Sequence, residues 1–267
     1  MKENLQSLID KNRIAWNAKT PFHLKSEFYR QESFLKGQCS LNSIELELMG
    51  NLVGKEVLHL QCHFGQDTLS LQRRGALATG VDFSEVAIQI AKETAEQLEL
   101  PVDFVCSDIY RLPDILQKQY DLVFTSYGVL GWLPDLNRWA EVVHALLKPG
   151  GQFLIVEFHP FIWTFDDHFK KIAYDYFNTQ PYLETYSGTY ADRTAPIICE
   201  TAFWNHSLGE VFESLLSKGM EVKLFREYDY SPYPCFPEVT EFEHGKFRIK
   251  GVDHLIPMIY ALQMVKK

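Results

Sequence analysis

A chain of 267 residues is long enough to bury its own core and, at about 150 residues per domain, reads as one large domain or one domain carrying an insertion. Hydrophobic residues at 46% and charged residues at 23% exclude a disordered or low-complexity chain, and the net charge of -9 repels phosphate backbones, so nucleic acid is not an expected partner. No run approaches the ~18 apolar residues of a membrane span, the first residues lack the apolar stretch of a secretory signal, and five scattered cysteines without a CxxC pair indicate neither a disulfide framework nor a metal site.

The expectation is therefore a cytoplasmic protein with no membrane partner and no metal. Residues 1 to 53 read as a helical cap ahead of a sheet, with Trp16, Phe22, Phe28, Tyr29 and Phe34 as apolar anchors. From Gly54 to Phe158 short apolar runs alternate with amphipathic ones, the pattern of βαβ units building a parallel sheet. The strand candidates are Glu56 to Leu60, Ala78 to Val81, Val102 to Cys106, Leu122 to Ser126 and Phe153 to Phe158. Ser84 caps a helix running toward Leu98. Asp135 caps another whose Leu136, Trp139, Val142, Val143, Leu146 and Leu147 share a face, and Lys148-Pro149-Gly150-Gly151 ends it. Residues 159 to 206 break the rhythm and are dense in Phe, Tyr and Trp, as an insertion would be. Core periodicity resumes over 207 to 267: Ser207 to Glu210 reads as a capping box, and Met220 to Leu224 and His254 to Val265 read as two further strands.

Ligands of an open α/β sheet lie beyond the carboxyl ends of its strands. There the sequence places Leu60-Gln61-Cys62-His63-Phe64-Gly65, then Asp82-Phe83-Ser84, then Asp108, then Thr125-Ser126-Tyr127-Gly128. A carboxylate about 20 residues past a glycine-bearing turn is the spacing at which such folds hold ribose hydroxyls. Gly65 would let the backbone approach a ligand closely. Cys62 reads as a small buried residue.

These blocks resemble class I S-adenosylmethionine-dependent methyltransferases. VLHLQCHFGQDTLSL stands at that family's strand-and-glycine-loop motif, GVDFSEVAIQIAK at its ribose motif, FVCSDI at its adenine motif, and YDLVFTSYGVL with LLKPGG at its later ones. The LQCHFGQDT loop is a variant and resembles that of certain bacterial methyltransferase-like sequences. The resemblance implies a doubly wound, seven-stranded, mostly parallel Rossmann-like sheet and S-adenosylmethionine as cofactor. It puts Asp82 on the ribose, Phe83 and Ile109 on the two faces of adenine, and Asp108 on its amine. Gly65, with Ser126 nearby, would face the remainder of the cofactor. The family usually has an acidic residue where His59 stands and glycines where Gln61 and His63 stand. All three are taken as cofactor contacts, in a loop that must avoid left-handed backbone or bear strain.

Transfer of a methyl group to a small-molecule acceptor follows as the expected function, in a monomer or homodimer. Tyr127, Trp132 and Trp163 are candidate substrate contacts, since they follow the fourth and fifth strands, and Tyr29 and His206 join them. His159 is the candidate general base, because imidazole titrates near neutrality. A nicotinamide-dependent dehydrogenase is disfavoured, since CHFGQD lacks two glycines of a dinucleotide turn. A non-catalytic module binding the same cofactor is the alternative.

Overall fold

A computed structural model describes residues 5–178 and 180–267. Three helices come first: α1 (Leu5–Lys25), α2 (Gln31–Leu35) and α3 (Ser43–Met49). The alternating stretch follows as β1 (Glu56–Leu60), α4 (Gln66–Arg73), β2 (Leu77–Asp82), α5 (Glu85–Gln97), β3 (Asp103–Cys106), α6 (Leu112–Ile115), β4 (Tyr120–Ser126), α7 (Leu136–Leu146) and β5 (Leu147–Phe158). Local chemistry sets these ends. The Ser84 hydroxyl accepts from the Ala87 amide, and the Asp135 carboxylate from the Arg138 amide, each satisfying an otherwise orphaned donor of the first helical turn.

Beyond β5 an antiparallel hairpin stands apart from the main sheet, β6 (Tyr182–Ser187) with β7 (Ile198–Phe203). Then come α8 (Leu208–Leu216), capped by the Ser207 hydroxyl, β8 (Met220–Tyr228), a second hairpin of β9 (Val239–Glu243) and β10 (Lys246–Ile249), and β11 (Ile259–Lys266). Residues 229–258 leave the sheet, and the last strand begins at Ile259 rather than His254.

The main sheet runs β3-β2-β1-β4-β5-β11-β8, with β1 to β5 parallel and β11 antiparallel to both neighbours. This is a doubly wound, Rossmann-like sheet whose order reverses between β1 and β4, the switch point at which such sheets open a crevice. Both faces are covered. Trp139, Val142, Val143 and Leu146 of α7 and Val211 and Leu215 of α8 pack on one face, and Ile44, Met49 and Leu71 on the other. Burial on both faces explains why the strands read as continuous apolar runs.

Helix α1 lies between the sheet edge and the β6–β7 hairpin. Its Asn17 accepts from the Ser84 hydroxyl at 2.7 Å and donates to Glu85 at 2.6 Å, beside an Arg13–Glu85 ion pair. On the other side buried Asn12 donates to the Ala202 carbonyl and accepts from the Ala202 amide, both at 2.8 Å, so one amide side chain completes the free edge of β7. Asn12→Ala strands both backbone groups in a buried position. The expected cost is about 2–4 kcal/mol by chemical denaturation, with hydrogen-exchange protection lost in 198–203 while β1 to β5 keep theirs. Unchanged exchange in the hairpin would count against this tie.

Candidate active site

Asp82 ends β2 and its carboxylate is 8% exposed. One oxygen accepts from the Ser84 amide and the other from the His63 amide, each at 2.9 Å. Burial, opposed by the amides of Ser84, His63 and Phe83, pushes its pKa up from 3.8 to about 6. The Ser107 amide donates to the Asp82 carbonyl at 2.9 Å, which fixes the neighbouring tip. There half-buried Asp108 accepts from the Tyr110 amide at 3.0 Å and caps the turn 109–111. Phe83 is half-buried beside Asp82, whereas Ile109 joins the core cluster shared with α7. The structure thus brings the four adenosine-side candidates to one edge of the sheet.

The first loop bears backbone strain instead of avoiding it. Gln61 and His63 sit at φ 53° and 51°, in the left-handed region, at about 1–2 kcal/mol each. Bonds around the loop hold them there. The Gln61 amide donates to the Val129 carbonyl at 2.9 Å, joining the loops after β1 and β4, and leaves Gln61 Oε1 buried without a partner. His63 is held through its backbone by Asp82 and through its ring by His23 of α1, with Nε2 2.9 Å from His23 Nδ1.

Gly65 is confined by its neighbours. Its amide donates to the Cys62 carbonyl, and a Cβ there would meet the Phe104 ring at 2.7 Å and the Ala91 Cβ at 2.9 Å. With φ at +83°, packing and backbone conformation both demand glycine. His59 is likewise turned inward: Nδ1 lies 2.9 Å from the Thr68 hydroxyl and the ring stacks on Phe124. Burial lowers its pKa to about 3, so it stays neutral beneath the loop.

The substrate candidates divide into separate places. Tyr29 packs on His63 and Phe64 of the first loop, and Trp132 reaches that loop through Trp16. The Tyr29 hydroxyl bonds that of Tyr190, its ring stacks on His23, and Trp132 meets Trp16 edge-on at 5.4 Å. Trp163 and His206 instead line a cavity of about 20 Å³ under the β6–β7 hairpin, together with Glu157, Phe158 and Trp204. That space holds about one water molecule. Both His206 nitrogens are engaged, by the Leu133 carbonyl at 2.7 Å and by Glu210 at 2.9 Å. Tyr127, at φ 44°, sends its hydroxyl away to buried Glu45 at 2.7 Å. Ser126 is half-buried at the tip of β4.

His159 is tied between strands. Nδ1 accepts from the Phe161 amide at 3.2 Å and Nε2 lies 3.1 Å from Glu227 of β8. With both nitrogens occupied, the ring offers no free lone pair in this arrangement.

Sequence reasoning passed over two features. Trp16, Lys19 and His23 recur at helical spacing on α1, and all three meet the first loop or the loop after β4. Glu157, the one charge in the apolar run Phe153 to Phe158, is 4% exposed and gathers the amides of Gly128, Val129, Leu130 and Phe158.

Residues 57–151 match the family model described as a methyltransferase domain. The chain is 36% identical over 154 residues to the ubiquinone biosynthesis O-methyltransferase of Coxiella burnetii, an alignment covering 57% of this chain and 62% of that protein. It is 38% identical over 131 residues to the protein of that name from Klebsiella pneumoniae, covering 48% and 54%. It thus spans less than two thirds of these relatives. Among solved structures, an S-adenosylmethionine-dependent methyltransferase from Mesorhizobium loti superposes with TM-score 0.55 at 18% identity, covering 87% of this chain and 100% of that one. The DhpI–SAH complex gives 0.58 at 18% identity, covering 98% and 99%. At such identities the superpositions speak for the fold. Residues 57–151 thus match a methyltransferase domain, and the chain shares the fold of the S-adenosylmethionine-dependent methyltransferase structures on which it superposes.

Proposed function

We propose that the protein transfers a methyl group from S-adenosylmethionine to a small-molecule acceptor. The observation that carries this reading is the buried Asp82 carboxylate, held by two loop amides at the tip of β2, with Asp108 at the adjacent tip. The edge also has bonding capacity that the chain does not use. Gln61 Oε1 is buried without a partner, which a polar ligand would satisfy. The residues present fit the cofactor on that ground.

In this reading Asp82 accepts from the ribose hydroxyls, Asp108 from the adenine amine, and Phe83 and Ile109 flank the ring. Gln61 and the His63 backbone line the methionine portion, with Gly65 shaping the loop and Ser126 closing the β4 side. The bound cofactor supplies a methyl group already activated by its positive sulfur. The chain's part is then to exclude water and hold the acceptor in line. Helix α1 and the 159–206 insertion act as the lid, with Tyr29 packed on the first loop, Trp132 reaching it through Trp16, and Trp163 under the hairpin.

No described helix is long and apolar enough to cross a membrane, and all five cysteines are free thiols. Free thiols fit a reducing compartment, and the net charge of -9 fits a small-molecule acceptor better than a nucleic acid. Calorimetry with S-adenosylhomocysteine, followed by methyl-transfer assays over a panel of acceptors, tests the reading. Micromolar binding with turnover is expected. Binding without turnover on any acceptor would favour the non-catalytic module, and absence of binding would overturn the proposal.

A further inference from the structure

Lys19 is 2% exposed, a rare situation for lysine. Its ammonium lies 4.8 Å from the Trp16 ring, 5.2 Å from Trp132 and 4.9 Å from Tyr186. Among the described residues no carboxylate forms an ion pair with it and no acceptor bonds it. Burial lowers its pKa to about 8, so it keeps its charge at neutral pH. Aromatic faces attract a cation, but they replace only part of the hydration it loses. The box lacks a counter-anion.

One helical turn further, the His23–His63 pair adds a second deficit. The two rings share one hydrogen bond, and His23 Nε2 and His63 Nδ1 are buried without partners. Burial holds both imidazoles neutral. Whichever ring donates to the other, one buried N–H and one buried lone pair are left over. Trp16 joins the two features, its ring 5.1 Å from that of His63 and under the Lys19 ammonium. An unpaired cation beside an unmet N–H donor is what an anionic oxygen group satisfies.

We propose that Lys19 and the His23–His63 pair form a subsite for an anionic oxygen group, a carboxylate or phosphonate, carried by the methyl acceptor. This rests on the methyl-transfer reading and names the acceptor's class. The placement favours the acceptor over the cofactor's own carboxylate. The adenosine-side residues lie at the tips of β2 and β3, whereas the lysine is walled by Trp132 beyond β4 and by Tyr186 of the hairpin. Lys19 and Tyr186 both fall outside the matched domain at 57–151.

The test uses the full chain, calorimetry and matched probes: benzoate and phenylphosphonate against benzamide, each with and without saturating S-adenosylhomocysteine. The wild type is expected to bind both anions at least tenfold more tightly than the amide. Lys19→Met, which fills the box without charge, is expected to erase that preference, keep S-adenosylhomocysteine affinity within twofold and melt no lower than wild type. Lys19→Arg is expected to retain the preference, and it serves as the deciding variant should the methionine form not fold. The proposal is overturned if the wild type shows no anion preference, if Lys19→Met keeps it, or if Lys19→Met loses tenfold in S-adenosylhomocysteine affinity, which would give the cation to the cofactor. Failure of the wild type to bind S-adenosylhomocysteine would count against the methyl-transfer reading instead, while anion preference in the unliganded arm still decides whether the subsite exists.

Discussion

Asp82→Ala is expected to weaken S-adenosylhomocysteine binding about a hundredfold, because two hydroxyl hydrogen bonds to a carboxylate contribute about 3 kcal/mol together and about 1.4 kcal/mol is tenfold. The same side chain gives two pH trends of opposite sign. The buried carboxyl titrates near 6 in the folded chain against 3.8 when free, so its ionisation opposes folding. Its contribution to stability is fully present below 3.8 and is lost as the pH rises through about 6. In the proposed role ligand binding needs the ionised form, which would accept from both hydroxyls, and is therefore gained over the same rise. Calorimetry from pH 5 to 8 should show wild-type affinity falling up to about tenfold per unit below pH 6. Asp82→Asn should flatten that dependence, since the amide does not titrate. A wild-type affinity that is level down to pH 5 would place the ribose elsewhere.

Where the sequence speaks locally, the structure follows it. Ser84, Asp135 and Ser207 each accept from an amide of the first helical turn, and such caps depend only on residues two or three positions away. The α7 stripe of Leu136, Trp139, Val142, Val143 and Leu146 is buried throughout, because a helix of fixed period turns one face inward wherever it packs. Legibility stops where the deciding partner is distant in the chain. A lysine on a helix ordinarily reads as a solvated one, and nothing near Lys19 in sequence announces Trp132 or Tyr186. Gly65 reads as room for a ligand, yet the atoms that exclude a side chain there belong to Phe104 and Ala91. Tyr127 follows β4 as a substrate contact should, but its left-handed backbone turns the ring toward Glu45. A positive φ at tyrosine has no signature in the sequence. The second hairpin escaped because its strands, five and four residues long, are exposed or half-buried over nearly their whole length and so present no continuous buried face to the sequence.

The first loop and the loop after β4 behave as one unit, and Glu157 is what joins them to the sheet. Its carboxylate accepts from Val129 at 2.7 Å, Leu130 at 3.2 Å and Phe158 at 2.6 Å, and also from Gly128. Gln61 in turn donates to the Val129 carbonyl, and the Gly131 carbonyl accepts from Trp204 at the end of the hairpin. One buried side chain therefore sets the loop on which the first loop, the Lys19 box and the hairpin all rest. Glu157→Ala leaves up to four buried amides without an acceptor, each at about 1–3 kcal/mol before relaxation. Since water entering the space recovers part of this, the expected loss is about 3–5 kcal/mol, against a total stability of about 5–15 kcal/mol. For a domain of this size that lowers the melting temperature by about 10 °C. Glu157→Gln should fall between the two, because its one carbonyl oxygen keeps some of the amides while its NH2 faces the others. Hydrogen exchange separates this account from a general loss of stability: protection should fall first in 128–132 and 61–65, with β2 and β3 unaffected under native conditions. A Glu157→Ala protein that melts within about 2 °C of wild type would mean that the loop holds its own shape. The four amides would then mark a carboxylate accommodated by the loop instead of one that organises it.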